Sequence, residues 1–117
     1  MDNQQLLDTF PDIQHSLIKH RATSYTPGTL LSYACGGSMQ YGILKKYTDR
    51  SVQFIYVNKW VYGTLLKGKN PSVSYINVSD EQIKWRIAPV NLDLIDEESK
   101  QAYNLILELL YQNGILK

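Results

Sequence analysis

From Thr29 to Val78 the chain is a succession of short runs rich in Val, Ile, Tyr, Phe and Trp, separated by turn-forming residues, a pattern that confines it to a fold built on a sheet. Thr29 to Cys35 is followed by Gly36-Gly37, two residues able to take the positive φ of a tight hairpin, and then by Ser38 to Tyr47. The two runs are expected to pair antiparallel. Thr48-Asp49-Arg50 forms the next turn, after which Val52, Phe54 and Tyr56 alternate with Gln53, Ile55 and Val57. Apolar residues on both sides of that alternation mark a central strand. Asn58-Lys59 reads as a short turn before a strand from Trp60 to Lys67, and Gly68-Lys69-Asn70-Pro71 as a stronger one before a strand from Ser72 to Val78.

Helical periodicity brackets these runs. Leu6, Leu7, Phe10, Ile13, Leu17 and Ile18 share one helical face, which predicts a helix from Asp2 to Lys19, kinked at Pro11 or divided there into two nearly collinear pieces. Ala22 to Gly28 is a connector. Near the other end, Ser79 and Gln82 fit a capping box, but Ile83, Trp85 and Ile87 alternate with Lys84 and Arg86 as a strand would, and the strand is favoured. Pro89 is expected to break regular pairing, leaving Val90 to Ile95 as an extended connection or edge strand. Asp96 can cap a helix from Glu97 to Asn113 with a buried stripe of Ala102, Leu105, Ile106, Leu109 and Leu110; Gly114 would stop it and Ile115 fold back onto its last turn. The expected architecture is one α+β domain over residues 1–117: an N-terminal helix, five to six mostly antiparallel strands forming a bent sheet or small barrel, and a C-terminal helix. Gly42 and Gly63, read as strand positions, favour a strongly bent sheet or barrel.

At 117 residues, 44% hydrophobic and 20% charged, the chain can bury a single core without disulfides or metal. A single cysteine, Cys35, cannot form an intramolecular disulfide, and the first residues lack the basic start and apolar run of a secretion signal, so the cytoplasm is the expected compartment. No apolar run approaches the roughly 18 residues needed to cross a bilayer, so no membrane partner is expected. The Asn77-Val78-Ser79 triplet is then a chance match to a glycosylation acceptor.

Enzyme readings fail on missing partners. Cys35 precedes Gly36-Gly37-Ser38, whose amides could cradle an oxyanion, but no base stands in a recognisable motif with it, and a small buried residue beside a hairpin turn is the far commoner account of such a cysteine. His15 and His20 are five apart and fall on different sides of a helix, so with one cysteine they give no metal-ligand pair. Gly37 and Gly42 have the separation of phosphate-loop glycines, but Ile43 and Leu44 follow where lysine and a hydroxyl residue are required. Asp96, Glu97 and Glu98 are explained by the favourable field at a helix start. No catalytic residue, cofactor or metal is expected.

Charge placement is more informative than the net charge of +1. Between Gln40 and Lys69 six basic residues stand against one acid, a local net charge of +5, while Asp93 to Glu108 carries −4. In and around that basic stretch Tyr41, Tyr47, Tyr56, Trp60, Tyr62, Tyr75 and Trp85 are interleaved with Lys45, Lys46, Arg50, Lys59, Lys67, Lys69, Lys84 and Arg86. Bases stack on exposed rings while basic side chains follow phosphates, so a basic aromatic sheet face suits RNA or another single-stranded nucleic acid. Lys45, Lys46, Arg50, Lys67 and Lys69 are the candidate phosphate contacts, and Tyr47, Trp60 and Tyr62 the candidate stacking rings. Two other accounts stay open. Aromatics favour strands and edge lysines keep sheets from pairing with one another, whatever the function. The same exposed aromatics would also serve a protein-interaction module, such as a phage- or plasmid-encoded inhibitor or immunity protein docking on a partner. An unpaired strand edge would allow a homodimer.

The order of elements, a short helical lead, the Thr29 to Val78 meander with its Tyr and Lys, and the closing helix Glu97 to Asn113, resembles the small PrgU-type regulators of Gram-positive conjugative plasmids. The resemblance covers the layout of most of the chain. It implies a PUA-like barrel, a fold used to bind RNA, and a regulatory role in limiting expression of plasmid transfer and surface-protein genes. No residue role comes with it.

Overall fold

The computed structural model describes residues 2–11, 26–35, 38–48, 50–77 and 87–117, with only the backbone of Ala34, Cys35, Ser38, Met39 and Leu94. In chain order the elements are α1 (Asn3–Asp8), β1 (Leu30–Cys35), β2 (Ser38–Tyr47), β3 (Ser51–Tyr56), α2 (Lys59–Leu66), β4 (Ser74–Asn77), β5 (Ile87–Pro89), a 3-10 turn at Leu92–Leu94 and α3 (Glu97–Gln112). The five strands form one sheet in the order β4-β3-β2-β1-β5, antiparallel at every pairing. With β4 and β5 at opposite edges, the sheet is open among the described residues, not the small barrel offered as its alternative form. One strand that such a barrel would have used is absent, because the run from Trp60, expected to be extended, is helix α2.

That helix overrides strand-forming residues with local signals and packing. The Asn58 side chain accepts from the Val61 amide (2.8 Å), closing the N-terminus. At the other end Gly68, at φ 72°, donates to the Leu65 carbonyl (3.0 Å) and Lys69 to that of Thr64 (3.1 Å), the paired bonds of a Schellman ending. Val61, Tyr62 and Leu65 lie on one helical face and are buried. Helix α3 uses the same devices: Asp96 accepts from the Ser99 amide (3.1 Å), Gly114 lies at φ 74°, and Ile115 and Gly114 donate to the Leu110 and Tyr111 carbonyls. This is the stop expected from the sequence.

Helix α1 ends at Asp8, three residues before Pro11, and the rest of the helix expected to Lys19 lies outside the described residues. So do Gly36-Gly37, His15, His20, Val78 and the Ile83–Arg86 stretch. Cys35 pairs with Ser38 as the last rung of the β1–β2 hairpin, as a two-residue loop requires. Pro89 does not interrupt pairing: it stands opposite Leu31 in the edge strand β5, a position where proline is tolerated. Central place in the sheet belongs to β2, with β3 beside it.

Both faces of the sheet are apolar. On one, Leu30, Tyr41, Ile43 and Ile55 pack with Val61, Tyr62 and Leu65 of α2 and Ala102, Ile106 and Leu110 of α3, while Leu31, Leu44, Val52, Phe54 and Ile87 cluster on the other. Ile43, Ile55, Ile106 and Leu110 are wholly buried, each worth about 2 kcal/mol in removed apolar surface. Among the described residues, no helix is long and apolar enough to cross a membrane.

Candidate nucleic-acid interface

The eight candidate residues fall into two groups at opposite ends of β3. Lys45, Lys46 and Tyr47 close β2, and Arg50 lies in the turn to β3; Trp60, Tyr62 and Lys67 belong to α2 or its cap, and Lys69 to the connection after it. β3 spans six residues, so the groups are separated by about 17 Å of strand. They do not form one continuous sheet face.

In the first group a bulge decides which way each side chain points. Pairing runs Leu44 to Phe54, then Lys46 to Gln53 and Tyr47 to Val52, leaving Lys45 as the extra residue of β2. Lys46 therefore shares a side with Gln53, the helix side of the sheet, and is exposed, whereas Tyr47 is half-buried against the Val52 and Phe54 cluster on the opposite side. Lys45 is half-buried and Arg50 exposed. The turn presenting Arg50 is held by Thr48, whose amide donates to the Ser51 carbonyl (2.8 Å) and whose hydroxyl accepts from the Ser51 (3.0 Å) and Arg50 (3.3 Å) amides.

In the second group one expected stacking ring is lost. Tyr62 is 3% exposed and stacks on Phe10 with centroids 4.6 Å apart, so neither face of its ring is open to a ligand. Burial, reinforced by the Glu108 carboxylate, pushes its phenol above the ordinary tyrosine value, and it stays neutral. The helical twist that buries Tyr62 turns Trp60 outward, where it is 84% exposed. Helix α1 lies alongside: the Asn3 side-chain amide donates to the Leu66 carbonyl (3.3 Å), and Leu7 comes within 3.2 Å of where a Cβ on Gly63 would stand. Between the two helices runs a groove of about 380 Å³, lined by Leu7 and Gly63 at its floor and by Gln4, Lys59, Trp60, Thr64 and Lys67 around it. Gly63 is thus a point of close helix approach, not a bend in a strand. Asp8, which accepts from Gln4 (2.9 Å), lies outside the lining.

Two contributors are missing from the list of candidates. Lys59, read as a turn residue, is the second ammonium on the Trp60 groove. Tyr75 on β4 is 63% exposed and pairs with Gln53, which pairs in turn with Lys46. Its signal is its place among the aromatic residues interleaved with basic ones, but the neighbours it acquires depend on strand order. Tyr41 is buried and Tyr56 half-buried edge-on to Phe54 (5.0 Å), while Lys84, Trp85 and Arg86 lie outside the described residues. Among the described residues no group of three or more His, Cys, Asp or Glu side chains gathers as metal ligands. Comparison of the chain with protein-family models, with curated proteins and with solved structures finds no match.

Proposed function

We propose that this chain is a non-catalytic domain that binds single-stranded nucleic acid, with a base stacked on Trp60 and the neighbouring phosphates met by Lys59 and Lys67. The observation that carries the reading is an 84% exposed tryptophan beside an apolar-floored groove that, among the described residues, is lined by two lysines and no carboxylate. Every base has a π-face, and stacking on an aromatic ring is worth about 1–3 kcal/mol per base. A groove of about 380 Å³ falls in the size range of small-ligand sites, large enough for a base with its sugar. RNA is the member of this ligand class that the resemblance to PrgU-type regulators implies.

The rival reading, a protein-docking module, draws on the same groove, because Leu7 and Gly63 give it an apolar floor and tryptophan is a frequent anchor in protein interfaces. Salt separates the two: lysine–phosphate contacts weaken steeply as salt rises, and an aromatic docking surface does not. The test is fluorescence anisotropy with labelled single-stranded RNA, single-stranded DNA and duplex at two salt concentrations. Salt-sensitive binding that prefers RNA, and drops about tenfold or more in Trp60→Ala while the thermal midpoint holds, is the expected result. Absence of binding even at low salt removes this reading and leaves the docking module.

A further inference from the structure

Resting on the reading of Trp60 as a base platform, we infer that the same nucleic-acid strand has a second contact on the sheet, the row Lys46–Gln53–Tyr75, so that the ligand is a run of several unpaired nucleotides and not a mononucleotide or one extruded base. Lys46 stands directly opposite Gln53 across β2 and β3, and Gln53 directly opposite Tyr75 across β3 and β4. Residues directly opposite in antiparallel strands present their side chains on one face with Cβ atoms about 5 Å apart, so the three form a line about 10 Å long. It follows the helix side of the sheet at the point where helical cover ends: Ile55, two residues along β3 and on the same face, is 0% exposed, Gln53 is half-buried, and Tyr75 is 63% exposed. The row thus offers an ammonium for a phosphate, an amide able to pair with a base edge and an open ring for stacking, with the exposed Arg50 in the adjoining turn.

The two contacts are linked by the chain itself. Lys67 lines the Trp60 groove, and the connection from it to Tyr75 carries the exposed Lys69 and Val73, the latter 39% exposed. Tyr75 is eight positions beyond Lys67, so even a fully extended connection places them no more than about 28 Å apart. That span suits a footprint of several nucleotides, as aromatic-and-basic single-strand sites commonly have. The intervening Lys69 would meet phosphates between the two stacked bases.

A length series separates this proposal from the reading it rests on. Labelled oligouridylates of three, six, nine and twelve nucleotides are titrated against the native protein, Trp60→Ala, Tyr75→Thr and Lys46→Glu. Threonine is chosen at Tyr75 because it keeps a strand-forming side chain on β4, and thermal melts check that each variant is folded. The native affinity should rise between three and nine nucleotides. Tyr75→Thr should match it on the trinucleotide and lose about tenfold on nine, Lys46→Glu should also flatten the salt dependence on the longer probes, and Trp60→Ala should be weaker at every length. If Tyr75→Thr and Lys46→Glu bind all lengths as the native protein does, or lose equally at every length, the second contact is wrong and the Trp60 reading stands. If the native protein binds no probe at any length, both fall.

Discussion

Replacing Gly42 with alanine tests the account of the sheet's second face. Gly42 lies between Leu31 of β1 and Tyr56 of β3, and the Phe54 ring, diagonal to it, lies across its Cα. A Cβ at Gly42 would stand 2.4 Å from Phe54 Cδ2 and 3.2 Å from its Cγ and Cε2, closer than carbon atoms approach without something moving. Phe54 has little room to yield: it is 3% exposed, Tyr56 meets it edge-on at 5.0 Å and Tyr33 at 6.2 Å. Overpacking of this kind costs about 1–3 kcal/mol, while the loss of glycine's freedom in the unfolded chain returns about 0.4–1 kcal/mol. The net expectation is a loss of about 1–2 kcal/mol, a fall of about 4–8 °C in thermal midpoint for a domain of this size. Urea denaturation followed by circular dichroism measures it, and a double-mutant cycle with Phe54→Leu assigns the cause. With the ring gone, Gly42→Ala should cost at least about 1 kcal/mol less than in the native background. A neutral or stabilising Gly42→Ala, or strict additivity with Phe54→Leu, would refute the steric argument.

Three further outcomes are expected. Asp96→Ala should lose about 1 kcal/mol at neutral pH through the α3 cap; the Ser99 hydroxyl bond, foremost, holds the Asp96 carboxyl below its ordinary 3.8, so the deficit seen in urea midpoints should shrink as pH falls below 3.8 and the unfolded carboxyl protonates first. Gly68→Ala and Gly114→Ala should each lose about 1 kcal/mol from backbone strain alone, since both glycines have positive φ and nothing lies within 4 Å of the added Cβ; the two losses should add in denaturation midpoints. Tyr103 donates its hydroxyl to the Gly28 carbonyl, and burial, with Tyr111 adding, raises its phenol above the ordinary 10.0. Its neutral form is favoured in the fold, so its contribution is complete below pH 10 and fades as pH rises towards the folded value; Tyr103→Phe should start about 1 kcal/mol less stable and show a smaller alkaline decline in thermal melts.

The elements legible in the sequence are those whose instructions are local. Asp96 and Gly114 bracket α3 at both ends, and the alternation from Val52 to Val57 makes β3 a two-faced inner strand. Helix α2 was hidden because Trp60, Val61, Tyr62 and Thr64 all favour strands, and the decision came from tertiary burial of Val61, Tyr62 and Leu65. Its punctuation was nevertheless in view: Asn58 and Gly68 are the start and stop residues that Asp96 and Gly114 are for α3, although both read equally well as turns. For the candidate site, composition pointed to a basic aromatic surface but not to its geometry. Which lysine meets which ring depends on the strand order that brings Tyr75 to Gln53, the bulge that aims Lys46, and the helix that turns Trp60 out while burying Tyr62.

Losing one residue from a strand ordinarily turns everything beyond it inside out, because side chains alternate with a period of two. At the outer end of β2 the opposite should hold. Lys46 and Tyr47 already stand opposite Gln53 and Val52, where an unbulged strand one residue shorter would put them. Deleting Lys45 would therefore remove one positive charge and leave both faces displaying what they display now. The hairpin has a position at which chain length can vary without scrambling its surface, so homologues one residue shorter there would keep the same faces.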